Sequence, residues 1–330
     1  MIFKLTNLLV EFIILTMTDK NDKEESGRQE VNSPHDRVVK KFLQEIDTAK
    51  SLFNEYLPGE IKALLDLDSL EYMEKNFVDE VLAEYYSDFL YKVNFKDHID
   101  GFIFLLLEHK SWPARFSAFQ ALKYIVHVWD LYLANNEKAK YLPPVIPLVL
   151  YHGENKWNLD TRFSKLFKKP GPLKVFIPDF NFLLLDISHE PDENIKGIPI
   201  LKILLKTLKY IFKPNIKNKL PEIIQLFKKI KNKNTSTDYL VALIKYLMST
   251  AGNLENEEIE VNVSKVFSQG GEIMATIAEK LVNQTKWDVV MNMLQEGISI
   301  DLISRVTGFT AGQIKEFEEK IKAQQENAAA

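Results

Sequence analysis

The fold of this chain is decided by two apolar arms that flank a polar loop: LAEYYSDFLY at residues 82–91 and GFIFLLLEHK at residues 101–110. The loop, residues 94–101, is rich in turn formers and ends in Asp-Gly, which is typical of a β-hairpin. Each arm carries an acid where a buried strand should be apolar, and Asp88 and Glu108 are symmetric about position 98 in the middle of the loop. Antiparallel pairing about that centre predicts Asp88 almost opposite Glu108, with Cβ atoms roughly 5 Å apart.

Two opposed carboxylates on apolar strands need a positive partner, because buried acids are rare without one and like charges repel. Strand side chains alternate between faces, so Glu108 and Lys110 share a face and His109 points away. Mg²⁺ prefers carboxylate oxygens and would offset the charge of Asp88 and Glu108. The pattern predicts metal-dependent phosphodiester hydrolysis, in which Lys110 stabilises phosphoryl charge or helps to position the attacking water. The alternative is an ordinary salt bridge from Lys110 without a metal.

The order of predicted elements is helix, strand, strand with Asp88, strand with Glu108 and Lys110, helix, strand, and it resembles the core of the PD-(D/E)XK nucleases. More narrowly, the chain resembles the Rpn/YhgA-like recombination-promoting nucleases, which are also labelled transposases. Many relatives carry Gln where this chain has Lys110, and Lys matches the wider superfamily pattern. The matching segments are Pro34-His35-Asp36, Tyr56-Leu57-Pro58 and residues 86–91, 107–111, 145–153 and 182–186.

This resemblance implies an α/β fold with a PD-(D/E)XK restriction-endonuclease-like core, a central mixed sheet flanked by helices, and a helical C-terminal region. It implies a DNA endonuclease that uses Mg²⁺ or another divalent cation and acts in recombination or mobile-element biology. Asp88 and Glu108 are then the metal ligands, and Asp88, Glu108 and Lys110 are the catalytic residues. RNA stays open as a substrate, and double-strand cleavage would suggest a homodimer. The rival interpretation is a catalytically inactive, nuclease-like scaffold that binds nucleic acid or protein.

Four segments are expected: an N-terminal arm at 1–32, a nuclease core at 33–190, a Lys-rich helical extension at 191–252 and a C-terminal helical segment at 253–330. We expect translation to begin at Met17 rather than at Met1, which would leave residues 1–16 outside the protein, and we expect residues 18–33 to be disordered in either case. Within the last segment, residues 298–322 have helix-turn-helix spacing, with Ser299 and Thr310 as N-caps. The second helix of this motif carries Glu316, Glu318 and Glu319, which would face DNA phosphates unfavourably. Recognition of DNA and a helical hairpin for docking or dimerisation are therefore equally open.

Composition excludes several classes of protein. The absence of cysteine removes disulfides, thiolate nucleophiles and Cys-based zinc sites, and it suits the cytoplasm, where we expect the protein. The apolar residues 1–17 are too short to span a bilayer easily and contain Glu11, so no membrane partner is expected. The net charge is −4, yet residues 202–233 contain ten lysines and one acid. That run favours either a basic face for phosphates or a solvated helix surface.

Further expectations concern the surroundings of the site. One helix is predicted from Pro34 to Tyr56, with Asp36 as a candidate site residue or a helix-capping acid, and the first strand is predicted at 69–76. Val145–Tyr151 is predicted as a strand in which Pro147 indicates an edge or a bulge. His152, which follows it, is the histidine of interest. A long helix after Pro113 is predicted to face the core with Phe116, Phe119, Leu122, Val126, Trp129 and Leu133. Its other side offers Arg115, Gln120 and Lys123, either as phosphate contacts or as ordinary exposed groups.

Overall fold

The computed structural model describes residues 34–73, 89–96, 100–108, 113–251, 254, 256–267, 289–294 and 297–316, and for Pro34, Glu108, Asn256 and Glu257 it describes the backbone alone. The strands are β1 (Leu65–Met73), β2 (Phe89–Phe95), β3 (Asp100–Glu108), β4 (Val145–Tyr151) and β5 (Leu183–Asp186). The α-helices are α1 (Pro34–Leu43), α2 (Ile46–Tyr56), α3 (Gly59–Leu64), α4 (Ser117–Asn135), α5 (Pro199–Tyr210), α6 (Ile216–Gln225), α7 (Lys233–Thr250), α8 (Asn256–Val266) and α9 (Ile300–Thr307).

The five strands form one mixed sheet in the order β1-β2-β3-β4-β5. The pairs β1–β2 and β2–β3 are antiparallel, whereas β3–β4 and β4–β5 are parallel. Helices cover both faces of this sheet, so the predicted α/β fold with a central mixed sheet flanked by helices is confirmed. None of the helices in the described part of the chain is both long enough and apolar enough to span a bilayer.

Both faces of β3 are buried, which explains its almost continuous apolar sequence. Ile103, Leu105 and Leu107 pack into the larger core, on the side of α1, α2 and α5–α8. Phe104 and Leu106 point to the opposite side, where α4 and the connection from β4 to β5 form a second core. The sheet is therefore enclosed between two helical layers at the strand that ends in Glu108.

The β2–β3 turn is tighter than predicted. β2 continues to Phe95, and Asn94 pairs with Asp100, so Asp100 and Gly101 lie in the strand and not in the turn. The glycine is needed for packing: a Cβ atom at position 101 would lie 2.3 Å from ring atom Cε2 of Phe95. The sequence suggests that this glycine serves the conformation of a turn. In the structure it lies in a strand, and close contact with the Phe95 ring is what requires a glycine there.

The register of this hairpin also differs from the prediction. Phe89 pairs with Leu105, whereas the predicted symmetry pairs it with Leu107. A shift of two residues preserves the face on which each side chain lies, because the strand period is two. The predicted pairing of Asp88 with Glu108 requires the register in which Phe89 pairs with Leu107, and the described strand pairs do not have that register. Asp88 itself lies outside the described residues.

The predicted helix over residues 34–56 is divided in two, because α1 ends at Leu43 and α2 begins at Ile46. The break frees the Leu43 carbonyl, which accepts a buried hydrogen bond of 2.8 Å from the Tyr91 hydroxyl on β2. The short helix α3 follows α2, and β1 begins at Leu65, earlier than the predicted start at residue 69. The interruption thus joins the N-terminal helices to the sheet by a side-chain hydrogen bond.

The buried face of α4 was predicted wrongly for most of its residues, although Leu122 packs against the second core and Trp129 is half-buried. Phe116, just before the helix, is 61% exposed, Phe119 is 49% exposed, and Val126 and Leu133 are exposed as well. The buried row is instead Ala118, Ala121, Tyr124, Ile125 and Val128. The two alanines let the helix approach the sheet closely, and the Tyr124 ring stacks on Phe104 with centroids 3.8 Å apart. Phe116, Phe119, Val126 and Leu133 are left on the outer surface.

The strand Val145–Tyr151 was predicted correctly, but β4 is central and not an edge strand. β5 pairs only with the last four residues of β4, beginning at Leu148. Pro147 lies just before that pairing, where the missing N–H of proline breaks no hydrogen bond to β5.

The C-terminal caps were also predicted correctly. The Ser299 hydroxyl accepts from the Leu302 N–H at the start of α9. Thr310 and Gln313 form a reciprocal capping box: the Thr310 N–H donates to Gln313 Oε1 at 2.9 Å, and the Gln313 N–H donates to Thr310 Oγ1 at 3.3 Å. Residues 317–322 of the predicted helix-turn-helix-like stretch lie outside the described residues.

The close contact at Gly101 gives a test of this hairpin. We expect Gly101→Ala to lower the free energy of unfolding by about 1–3 kcal/mol, because the Phe95 ring must move to admit a methyl group. Urea unfolding measures the change. Gly59→Ala is the matched control, since nothing lies within 4 Å of the added Cβ. Equal stability of the two variants would contradict the packing explanation.

Candidate active site

The strands β3 and β4 end together at one edge of the sheet. Glu108, the last residue of β3, pairs with Tyr151, the last residue of β4. Of the three predicted catalytic residues, the structure thus places the backbone of Glu108. Asp88 and Lys110 lie outside the described residues, so whether the three side chains meet stays a prediction.

A buried histidine cluster adjoins this edge and consists of His35, His152, Phe212 and Tyr246. His152 directly follows Tyr151 and is 1% exposed. Its ring stacks on Phe212 with centroids 5.8 Å apart and planes inclined by 8°, and it lies 5.5 Å from the His35 ring. The cluster therefore brings the first turn of α1 to the end of β4, beside the strand that ends in Glu108.

One hydrogen bond closes the cluster from the far side. Tyr246 Oη on α7 and His35 Nδ1 on α1 are 2.6 Å apart in a buried environment. Burial raises the pKa of Tyr246 well above its usual value, and the nearby Asp36 carboxylate raises it further. The hydroxyl therefore keeps its proton at neutral pH and can donate it to Nδ1. Two helices separated by most of the chain are joined at the candidate site.

Asp36 is buried in the first turn of α1. Two sequence interpretations were open for it, a site residue and a helix-capping acid. The helix dipole favours a carboxylate in this turn, as the second interpretation requires. The neighbouring His35 contacts His152, so Asp36 also lies at the edge where β4 ends. Its position agrees with both interpretations.

The end of β5 is fixed by a carboxylate with a structural role. Asp186, which pairs with Tyr151, accepts hydrogen bonds from the Trp157 N–H at 2.9 Å and the Ser188 N–H at 3.0 Å. The Ser188 hydroxyl also donates to it. Lys213 donates to the Ser188 carbonyl, and burial lowers the pKa of this lysine, with the charge of Lys209 acting in the same direction.

Part of the predicted basic run is neutralised inside the protein. Lys206 and Lys209 on α5 are buried; Lys209 forms an ion pair with Asp192, and Lys206 forms one with Glu222 and a longer one with Asp192. Lys219 donates to the same carboxylate at 2.8 Å, and so does the Tyr210 hydroxyl at 2.6 Å. Burial alone would raise the pKa of Asp192, but these hydrogen bonds outweigh it and hold the pKa far below its usual value. These three lysines are thus committed to a structural anion.

The polar residues predicted on α4 fall into two groups. Arg115 and Lys123 are exposed, whereas Gln120 is half-buried. Lys123 lies over the Phe119 ring at 5.9 Å, and Arg115 lies over Phe116 at 6.0 Å. Their predicted contacts with phosphate stay a prediction.

Within the described ranges, no group of three or more His, Asp or Glu side chains lies close enough to hold a metal ion. The metal predicted from the sequence therefore depends on Asp88 and Glu108. Carboxylate oxygens are the ligands that Mg²⁺ prefers, and it commonly takes only one or two of them together with waters. The chemistry of this donor pair thus fits a magnesium ion.

Sequence reasoning missed the partnership of His35 with Tyr246. Residues 34–36 had been singled out as a motif, but Tyr246 lies 211 residues further along the chain. It belongs to a helix whose other buried residues are ordinary core, including Tyr239, Leu243 and Leu247. No local spacing could have marked it.

Comparison with known proteins gives a consistent result. The sequence profile of the family described as "Putative transposase, YhgA-like" matches residues 33–238. The chain is 30% identical to the recombination-promoting nuclease RpnC of Escherichia coli K12, over 75% of this chain and 80% of that protein. It is 28% identical to the recombination-promoting nuclease RpnD of Escherichia coli O157:H7, over 76% of this chain and 95% of that protein.

A relative named as inactive is also similar. The inactive recombination-promoting nuclease-like protein RpnE of Escherichia coli K12 is 25% identical over 86% of this chain and 97% of its own length. No solved structure matches this chain.

The hydrogen bond within the histidine cluster can be tested by removing one oxygen atom. We expect Tyr246→Phe to lower the free energy of unfolding by about 1–2 kcal/mol, because buried His35 Nδ1 loses its hydrogen-bond partner. Urea unfolding measures the loss. Tyr141→Phe is the control because Tyr141 is exposed, and its stability should stay within about 0.5 kcal/mol of the wild type. A Tyr246→Phe variant as stable as this control would count against the bond.

The Asp192 cluster gives a second test. At pH 7 we expect Asp192→Asn to cost about 3 kcal/mol of unfolding free energy, because buried Lys209 loses its counterion and buried Lys206 is left with Glu222 alone. Since the folded-state pKa of Asp192 is lowered, its contribution is present above pH about 4 and is lost as the pH falls. The difference between variant and wild type should therefore shrink in acid. Asp68→Asn, in an exposed ion pair with Lys50, should cost under about 1 kcal/mol, and similar losses for both variants would refute the assignment.

Proposed function

The chain belongs to the YhgA-like transposase family, and we propose from this premise that it is a Mg²⁺-dependent endonuclease that hydrolyses phosphodiester bonds in DNA. Its relatives are named recombination-promoting nucleases, which supports a role in recombination or mobile-element biology. We further propose that it acts in the cytoplasm, in keeping with the absence of cysteine.

The observation that supports this proposal most is the position of Glu108. It ends a strand that is buried on both faces, and it pairs with the last residue of the neighbouring parallel strand. In open α/β sheets, sites lie outside the carboxyl ends of parallel strands. His152 and the first turn of α1, with Asp36, adjoin this edge. An acid at this place, beside a buried histidine and the first turn of α1, supports a catalytic site.

In this proposal, Asp88 and Glu108 hold the metal through their carboxylates. When bound, Mg²⁺ polarises the phosphodiester and lowers the pKa of a bound water. Lys110 stabilises charge on the phosphoryl oxygens or orients the attacking water. Hydrolysis then needs no covalent enzyme intermediate. The same site could also hydrolyse the phosphodiester bonds of RNA. Cleavage of both strands of a duplex would favour a homodimer, because each chain has one active site.

The second candidate function is a nuclease-like scaffold that binds nucleic acid or protein without cutting. The similarity to a relative named as inactive favours it. The presence of Asp88, Glu108 and Lys110 in this chain favours the enzyme, because a scaffold has no need of two carboxylates close together.

Plasmid cleavage tests the proposal. We expect purified protein to nick supercoiled DNA with Mg²⁺ but not with EDTA. Glu108→Ala and Asp88→Ala should reduce cleavage to background, because each removes a metal ligand, and Lys110→Ala should slow it by at least about 100-fold. Glu137→Ala removes an exposed glutamate in the turn after α4 and should leave the rate unchanged.

Two results would contradict the nuclease. One is failure of folded wild-type protein to cut DNA or RNA with any of several divalent cations. The other is equal cleavage by the Glu108→Ala variant and the wild type. If the protein binds DNA without cleaving it, and binding is unchanged both in EDTA and in the Asp88→Ala variant, the protein is the non-catalytic scaffold.

A further inference from the structure

The connection from β4 to β5 carries an unusual concentration of positive charge. Residues 161–178 contain one arginine, four lysines and no acid, in a chain whose net charge is −4. Residues 165–176 of this connection, here named the basic tip, include Lys165, Lys168, Lys169 and Lys174. The four lysines are exposed, and the exposed apolar side chains of Phe167, Leu173, Val175 and Phe176 lie among them.

The exposure of these apolar residues is extreme. Val175 is 82% exposed, Phe176 is 79% exposed and Leu173 is 64% exposed, while Phe167 is also on the surface. Leu173 and Phe176 are three residues apart in a 3₁₀ helix, so they lie along one side of it. A cluster of exposed apolar side chains rimmed by charge is typical of an interaction site.

The base of the basic tip is held firmly. The Phe163 N–H donates to the Phe180 carbonyl at 2.9 Å, and the two rings stack with centroids 5.4 Å apart. Phe163 is buried in the second core, and Arg162 forms an isolated bridge with Asn181. The exposed side chains thus project from an anchored stem, which lowers the entropic cost of binding.

The charges of the basic tip are available to a partner. None of Lys165, Lys168 and Lys169 forms an ion pair with another residue that the structure describes. This differs from Lys206 and Lys209, which Glu222 and Asp192 neutralise. Two acids lie at the base: Asp179 accepts a hydrogen bond from the Ser164 N–H and pairs with Arg162, and Asp160 accepts from the Arg162 N–H.

The backbone of the basic tip is strained at Lys169. Its φ of +49° lies in the left-handed region, and among the described residues no other non-glycine has a positive φ. Gly171, two residues later, has a φ of +53°. Such a conformation costs free energy, and it is found preferentially at functional sites.

We propose that the basic tip binds single-stranded nucleic acid, with its lysines on phosphates and Phe176 stacked on an unpaired base. This rests on the proposed function as a nuclease, which must hold a polynucleotide. A single strand presents anionic phosphates and flat apolar bases in alternation, and this matches the alternation of lysines and apolar side chains. In duplex DNA the bases are stacked on each other, so Phe176 has no base to contact.

Binding in EDTA tests the proposal without cleavage. Fluorescence anisotropy would follow a labelled oligothymidylate and a duplex of the same length. We expect Phe176→Ala to weaken binding of the single strand about tenfold, as loss of one stacked base predicts, and to leave duplex binding unchanged. Tyr141→Ala, which removes another exposed aromatic ring, should bind both probes as the wild type does.

The lysines have their own readout. Lys168→Gln with Lys169→Gln should reduce the slope of log K against log salt concentration for the single strand by about 1.4, or about 0.7 for each phosphate that a lysine no longer neutralises. The matched control is Lys138→Gln with Lys140→Gln, which removes two exposed lysines after α4 and should leave the slope unchanged. Urea unfolding confirms that all variants fold.

The outcomes separate this inference from the proposed function. If the Phe176→Ala and Lys168/Lys169 variants bind the single strand as tightly as the wild type, the inference is overturned. Mg²⁺-dependent cleavage by the same proteins would in that case still support the proposed nuclease. Loss of binding in these variants without any cleavage by the wild type supports the basic tip and refutes the nuclease. Sedimentation and vesicle flotation detect other partners. Self-association or binding to anionic vesicles that depends on Phe176, with oligonucleotide binding unaffected, also overturns the inference.

Discussion

The pairing of β3 with β4 is the constraint on which the rest of the structure depends. The register runs from Phe102–Val145 to Glu108–Tyr151 without a break, and these parallel strands are apolar on both faces. Parallel strands buried in this way need a helical layer on each side and crossover connections between them. The two cores, the place of α4 and the excursion from β4 to β5 all follow from that requirement. The same pairing sets Glu108 at an edge where two strands end together.

The N-terminal and C-terminal helical parts meet behind this edge. Tyr91 on β2 donates to the carbonyl at the end of α1, and Tyr246 on α7 bonds with His35 at the start of α1. Both ends of α1 are thus held by tyrosine hydroxyls, and its first turn carries Asp36. Because its ends are fixed from two directions, α1 can present its first turn at a constant position relative to β4. This is the kind of support that a catalytic constellation requires.

Lysines serve two different purposes in this protein. Around Asp192 they are buried, and their charge is balanced by a carboxylate whose pKa they help to depress. In the basic tip they are exposed, and exposed phenylalanine and valine side chains lie among them. Counting lysines along the sequence pointed to residues 202–233, yet the structure shows that part of that charge is internal. The position of an acid from another segment, Asp192, makes the difference.

The sequence by itself determined what depends on neighbouring residues. The apolar runs that became β3 and β4, the start of α1 at Pro34 and the caps at Ser299 and Thr310 are all local, because strand burial and helix capping involve side chains a few positions apart. The candidate residues Asp88, Glu108 and Lys110 also came from local pattern and resemblance.

Tertiary structure alone decided what depends on distant partners. The two-residue shift of the hairpin comes with a close contact between Gly101 and the Phe95 ring, and the break after Leu43 comes with a hydrogen bond from Tyr91. Helix α4 buries the face with Ala121, Tyr124 and Val128 and leaves Phe119 exposed, because the stacking partner of Tyr124 is Phe104 on a distant strand. In each case the free energy depends on atoms that are far apart in the chain and adjacent only after folding.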